Sequence, residues 1–256
     1  MVRSLAAREI RGQYKGSLLG WLWSLLNPLA MVATYTLVFG VLFQVKPDKG
    51  DPSGLQNYML YLVCGLIPWN LFATAITGQT GSLLAQSSLI SKVYFPRATV
   101  VVAKALSVAF TSVIEFAVVV IILLIAGNQV LPWLPMVALL FMLELVLVLG
   151  FGLMLSVANV YFRDIQYLLT IGLQLLFYAT PIIYKIDVVA QHGPRVLFLY
   201  RLNPLVRLVQ AYRALLYDLR WPALVDVVYV ACWAVAVLGL GMLAFKRLEG
   251  RLAEEL

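Results

Sequence analysis

Apolar residues run through this chain in long unbroken stretches, parted by short polar connections. A helix needs about 20 such residues to cross a hydrocarbon layer of about 30 Å. Stretches at residues 25–45, 58–77, 103–126, 133–158, 166–184 and 223–245 meet that length. The runs are continuous rather than alternating with period two, so they predict helices and not the strands of a transmembrane barrel. The expected fold is therefore all-α, a membrane protein with six transmembrane helices. The first stretch starts only after some twenty residues and lacks an A-x-A-like exit, so a cleaved signal peptide is not expected.

The segments between these stretches carry patterns of their own. In the leader, residues 1–20, helical spacing of about 100° per residue puts Val2, Leu5, Ala6 and Ile10 on one side. Arg8, Arg11 and Lys15 fall on the other, with Arg3 at the border. A basic amphipathic helix of this kind lies on an anionic membrane face; a plain positively charged anchor is the alternative. A flexible turn follows at Gly16-Ser17-Leu18-Leu19-Gly20, before Trp21 and Trp23 at the level of an interfacial aromatic belt.

In residues 83–97, Leu89, Ile90 and Val93 share a helical face that Pro96 terminates. The run Lys92-Val93-Tyr94-Phe95-Pro96-Arg97 either docks a soluble partner or merely connects two spans. Asn159-Val160-Tyr161-Phe162-Arg163-Asp164 makes a short turn with a charge pair. The connection 185–222 is too long for a turn. There Leu205, Leu208, Val209, Tyr212 and Leu216 keep helical spacing after Asn203, a suitable N-cap, and Pro204 at the first helical position. So apolar a helix is expected to re-enter the outer leaflet against the spans, or else to lie flat on the outer surface.

Composition narrows the class. Apolar residues make up 62% of the 256 and charged residues 12%, against about 45–50% and about 25% in soluble domains. Mean hydropathy is +0.92. The length suits one domain. Cys64 and Cys232, both in apolar runs, behave as small hydrophobes and exclude a disulfide-built scaffold. The net charge of +7 reads as basic flanks of membrane spans and not as a nucleic-acid surface.

Lys and Arg gather in the leader, at Lys92, Arg97 and Lys104, at Arg163, and in the tail 246–256 at Lys246, Arg247 and Arg251. That distribution puts both termini in the cytoplasm. Residues 185–222 break the rule. Lys185, Arg195, Arg201, Arg207, Arg213 and Arg220 fall on the outer side by an even count of spans.

Candidate chemistry is sparse. No Gly-Lys dipeptide occurs, so no Walker A loop is present. The single histidine, His192, cannot build a zinc site with two membrane thiols. Glu115 and Glu144 are the only charges well inside spans. Each is either functional or a protonated carboxyl bonded to a neighbour such as Thr111 or Ser112. Aromatic residues step by four along the first span at Tyr35, Phe39 and Phe43, and Phe177, Tyr178 and Tyr184 populate the fifth, the last beyond a kink expected at Pro181. Such rings either pack helices together or stack on the apolar faces of sugars.

Read in order, these segments resemble the permease subunit of type-2 ABC exporters, in the branch that exports O-antigen and teichoic-acid polysaccharides. The likeness rests on Arg8-Glu9-Ile10-Arg11 with Tyr14-Lys15-Gly16-Ser17-Leu18-Leu19-Gly20 and Leu22-Trp23. It continues through Gly65-Leu66-Ile67-Pro68-Trp69-Asn70, the Lys92–Arg97 run, the Asn159–Asp164 turn, Thr180-Pro181-Ile182-Ile183-Tyr184 and Asn203-Pro204-Leu205. The resemblance implies a homodimer in a bacterial cytoplasmic (inner) membrane, paired with two copies of an ATPase that holds ATP and magnesium. This chain itself would carry no cofactor.

By the same resemblance residues 1–20 form an interface helix, residues 25–184 the first five spans, 185–222 an external gate segment, 223–245 the sixth span and 246–256 a cytoplasmic tail. It assigns a lipid headgroup, a polyprenyl diphosphate carrying the glycan, to Arg8, Arg11, Lys15, Leu19 and Gly20. ATPase coupling falls to Lys92, Tyr94, Phe95, Pro96, Arg97, Arg163 and Asp164. The channel lining falls to Tyr35, Phe39, Phe43, Phe177, Tyr178 and Tyr184, and the external gate to Asn203, Pro204, Tyr212 and Arg213. Teichoic acid, capsule or another amphiphile are alternative cargoes. A proton-coupled carrier using Glu115 and Glu144 is the reading from another class, but no inverted repeat of broken helices supports it. An intramembrane glycosyltransferase lacks the acidic cluster that would hold a metal–nucleotide pair.

Overall fold

The computed structural model describes residues 5–9, 22–45, 47, 49–90 and 95–251. Among these the regular structure is helical, with no strand. Helix α1 (Leu22–Tyr35) runs on into a π-helical stretch, Thr36–Leu42. Helices α2 (Tyr58–Ala85), α3 (Ala98–Ile125) and α4 (Leu134–Tyr161) follow, the last entered through a 3-10 turn at Leu131–Trp133. After α5 (Ile165–Tyr178) come the short α6 (Ile186–Ala190), α7 (Pro194–Leu202) and α8 (Pro204–Arg213), which passes into a π-helical turn at Ala214–Asp218. Helix α9 (Leu224–Leu248) completes the fold.

Helices α2, α3, α4 and α9 are long and apolar enough to cross a membrane. Two shorter apolar helices, Leu29–Leu42 and α5, accompany them. The fifth stretch departs from its expected outline, a span continuing to residue 184. Its helix stops at Tyr178, and 14 residues at about 1.5 Å each reach only about 21 Å. Pro181 is the reason: it has no N–H to give Phe177, and its ring turns Thr180 away from helical geometry.

The described connections sort to two ends of the bundle. At one end Tyr161 donates to the Leu248 carbonyl at 3.2 Å, Arg97 to the Glu249 carbonyl, and Arg8 to Gln86. At the other, Ser53 N–H reaches Asp218 O at 3.0 Å and Asn128 Nδ2 reaches Leu216 O at 2.7 Å. Helix α3 ends there on Gly127, whose φ of 85° closes the helix. Gly127 N–H bonds Leu124 O and Asn128 N–H bonds Leu123 O, the paired bonds that satisfy a helix C-terminus.

Helix α2 is the hub. Its N-terminus is capped by Asn57, which accepts from the N–H of Met59 at 2.9 Å and Leu60 at 3.4 Å. Its flanks are buried on nearly every side by α3, α4, α5 and α8. Helix α4 is sandwiched between α2 and α9, and two glycines two residues apart serve its two sides. A side chain at Gly150 would meet the backbone of Val237 and Leu238 in α9; one at Gly152 would meet Gln79 in α2. In lipid, where helices gain nothing from excluding water, such backbone approach is what packs them.

Candidate functional site: an aromatic cleft and the helix that walls it

Phe39, Tyr178 and Tyr184, three of the six aromatics assigned to a glycan path, line one open cleft of about 640 Å³ where the ends of α1, α5 and α6 meet. Lys185, Asp187 and Gln191 also line it. The rings form a graded series. Phe43 stacks on Phe39 with centroids 5.8 Å apart, Phe39 lies 6.3 Å from Tyr35, and Tyr35 stacks on Phe177 at 6.0 Å. Phe177 then meets Trp69 of α2 at 5.4 Å.

Exposure divides the series by task. Phe43 is 69% exposed and Tyr178 58%, whereas Phe177 is 7% exposed. Phe177 is turned inward between Tyr35 and Trp69, where it ties α5 to α2. The Tyr184 hydroxyl donates to the Tyr178 carbonyl at 2.7 Å, which occupies an orphan acceptor at the end of α5 and holds the Tyr184 ring at the cleft.

Beyond α5 the chain is unwound, and its carbonyls need donors in an apolar setting. Side chains from α2 and α8 supply them. Arg213 donates to Pro181 O at 2.6 Å and to Ile182 O; Tyr58 donates to Ile183 O at 2.9 Å and Tyr61 to Tyr184 O at 3.4 Å. Arg213 is 3% exposed, and its guanidinium lies 3.8 Å over the Tyr61 ring. Gly65 of α2 makes room for it: a Cβ there would lie 2.7 Å from Nη2.

Next to Arg213, Tyr212 points the other way and donates to Glu144 of α4 at 2.9 Å. Glu144 is therefore a bonded carboxyl. Its partner is Tyr212 on α8, and neither Thr111 nor Ser112. Asn203 caps α8 as expected, accepting from Leu205 N–H at 3.0 Å, and its amide reaches Thr180 Oγ1 at 3.3 Å. Pro204 takes the first helical position. Tyr212 and Arg213, expected at a gate, are thus buried anchors, holding α8 to α4 and to the unwound end of α5. At the far end of α8, burial raises the Asp218 carboxyl above its usual range, while Arg220 beside it pulls the other way.

At the opposite end, Glu9 of the leader accepts from Gln86 at 2.8 Å and pairs with Lys104 of α3 at 3.2 Å. The Lys104 stem crosses Gly78, where a Cβ would lie 2.8 Å from it. Arg8 donates to Gln86, so this headgroup candidate sits at the end of α2. Arg11, Lys15, Leu19, Gly20, Lys92 and Tyr94 lie outside the described residues.

Phe95 is buried among Leu83, Val157 and Phe245, where it secures this end of the bundle and offers no exposed docking face. Pro96, Arg163 and Asp164 are exposed, and Arg97 is half-buried. Sequence reasoning missed Tyr58, Tyr61 and Gly65. The signal was Tyr58 and Tyr61, three apart at the start of a span, where a hydroxyl in an apolar run needs an acceptor.

Comparison with known proteins bears on this arrangement. Residues 2–217 match the family profile described as ABC-2 type transporter. The O-antigen export system permease protein RfbA of Myxococcus xanthus is 31% identical over 243 residues, covering 91% of this chain and 88% of that protein. Its Klebsiella pneumoniae namesake is 27% identical over 250 residues, covering 96% and 91%. The polysialic acid transport protein KpsM of Escherichia coli is 26% identical over 252 residues, covering 97% and 93%.

Proposed function

The chain belongs to the ABC-2 type transporter family, and on that premise we propose that it is the channel-forming permease of an ATP-driven exporter of a lipid-linked polysaccharide. It is a transport component, and ATP hydrolysis belongs to a separate subunit. The observation that carries the cargo is similarity over nearly the full length to permeases named for O-antigen export and polysialic acid transport. The aromatic cleft supports it. Ring faces presented by Phe39, Tyr178 and Tyr184 suit the apolar faces of sugars, which slide past such surfaces without fixed hydrogen bonds.

In this reading two copies of the chain, six spans each, enclose a path between their α1 and α5 helices in the bacterial inner membrane. Both termini are cytoplasmic, a polyprenyl diphosphate carrier bears the glycan, and α6 to α8 form the external gate. The exposed turn at Arg163 and Asp164 and the exposed Pro96 receive the ATPase. Its closure on ATP moves the spans as rigid bodies.

Two experiments test this. Purified alone, the chain should hydrolyse no ATP, and surface glycan should require both it and its ATPase; robust hydrolysis by the chain alone would sink the assignment. Phe39→Leu keeps apolar volume and deletes the flat ring. Surface glycan per assembled complex should fall several-fold while complex yield stays normal. Wild-type export per complex in Phe39→Leu would leave the ring as ordinary helix packing.

A further inference from the structure

Six basic residues between α5 and α9 stand on the side where few are expected, and the fold disposes of them unequally. Arg213 is consumed by carbonyls. Arg207 is consumed as well: it donates to Asp226 at 2.7 Å and to the Arg201 carbonyl at 2.8 Å, and stacks 4.1 Å over Tyr229. Arg201 is not, and Arg220 is engaged only in part.

Among the described residues no carboxylate pairs with Arg201. Arg220 meets Asp218 through Nε alone, at 3.1 Å, with its side chain 63% exposed. Both line one cavity of about 380 Å³ beside α8. The acid in its wall, Asp226, is already taken by Arg207.

Two more groups point the cavity toward an anion with an apolar body. Gln210, in its wall, has a buried Nε2 donor without an acceptor. Trp221, also in the wall and itself exposed, packs edge-on against Trp133 at 5.2 Å; indoles so placed mark a membrane interface. Guanidinium groups match phosphate oxygens through paired N–H donors. An aromatic wall at the bilayer edge suits the first isoprene units of a lipid.

We propose that this cavity is a receiving site for the diphosphate headgroup of an isoprenoid carrier once it has reached the outer leaflet. Arg201 and Arg220 grip the phosphates, and Trp221 contacts the chain. The proposal rests on the export reading and extends it to a second headgroup site, on the opposite end of the bundle from the leader.

The test uses the full chain in phosphatidylcholine nanodiscs, titrated with geranylgeranyl diphosphate and read by tryptophan fluorescence, with Trp221→Phe to assign the signal. Saturable binding is expected, with no response to geranylgeraniol. Arg201→Gln/Arg220→Gln should weaken binding at least about tenfold. Asp218→Asn, which frees the Arg220 guanidinium from its acid, should tighten it, a change that a misfolded variant cannot imitate.

Unchanged affinity in the double variant would overturn the proposal. So would competition of equal strength by phosphatidylglycerol, which would make the cavity a site for bulk anionic lipid, or by inorganic pyrophosphate, which would make it a site for a free anion. Failure of this inference alone leaves wild-type glycan export intact, and the double variant then exports normally. Failure of the export reading removes glycan export from the wild type itself.

Discussion

Gly241 and Gly65 have no side chain for a partner to recognise, yet each decides where a neighbouring element sits. A Cβ on Gly241 would lie 2.4 Å from the Gly150 carbonyl oxygen, which belongs to a backbone that cannot swing away. A Cβ on Gly239, two residues earlier, would meet nothing within 4 Å. Gly241→Ala is therefore expected to push α9 off α4 and lower the melting temperature of the detergent-purified protein by several degrees. Gly239→Ala should leave it unchanged or raise it slightly, since Ala gains about 0.5–1 kcal/mol over Gly inside a helix. Equal melting of the two variants would refute close backbone contact between α4 and α9. Gly65→Ala should resemble the loss of Arg213, because it evicts the guanidinium from its seat over α2.

As an element, α8 is short and amphipathic, and polar contacts hold it at both ends. Asn203 ties its start to Thr180; Tyr212 and Arg213 tie its end to Glu144 and to the Pro181 and Ile182 carbonyls. Tyr212→Phe leaves Glu144 buried without its donor, at a cost of about 1–3 kcal/mol. Faster hydrogen exchange is expected at the amides of residues 205–213. Glu144→Gln keeps an oxygen to accept from Tyr212 and should retain both slow exchange and glycan export. A carrier that moved protons through Glu144 would instead lose transport in that variant, so the one substitution separates an anchor from a relay. Slow exchange in Tyr212→Phe would mean that apolar packing alone holds α8.

For the whole molecule, the informative surface is α5. Leu168, Ile171, Leu175 and Tyr178 make an exposed stripe at helical spacing. The helix below them covers only about 21 Å of a layer of about 30 Å. The unwound backbone at 180–183 is already buried within the chain, and a second copy laid along α5 would cover the stripe that is left. Ile171→Cys, with Cys64 and Cys232 replaced, should form a disulfide-linked dimer under mild oxidation in membranes. Met242→Cys, on the exposed side of α9, should not. Cross-linking through residue 242 and none through 171 would place any contact between copies at α9 and not at α5.

Much of this architecture was legible in the residues. Helices form where apolar runs are long, since each helix satisfies its own backbone and needs no partner to do so. Asn203 and Pro204 start α8 by local hydrogen bonding and a fixed φ, both visible in two letters of sequence. The break at Pro181 was legible too, though not its extent. A missing N–H announces itself, but where the chain goes next depends on which side chains reach the freed carbonyls.

That dependence marks the boundary between the two kinds of information. Local composition and spacing determined an all-helical membrane chain, the places of its long apolar helices and the candidate aromatic rings. Tertiary structure alone decided that Phe177 packs inward while Tyr178 faces a cleft, since neighbours in sequence differ only in what stands across from them. It alone sent Arg213 and Arg207 into the fold and left Arg201 and Arg220 on a shared cavity. A charge is identical along the sequence wherever it lies; its partners, from helices tens of residues away, determine whether it is neutralised or free to bind.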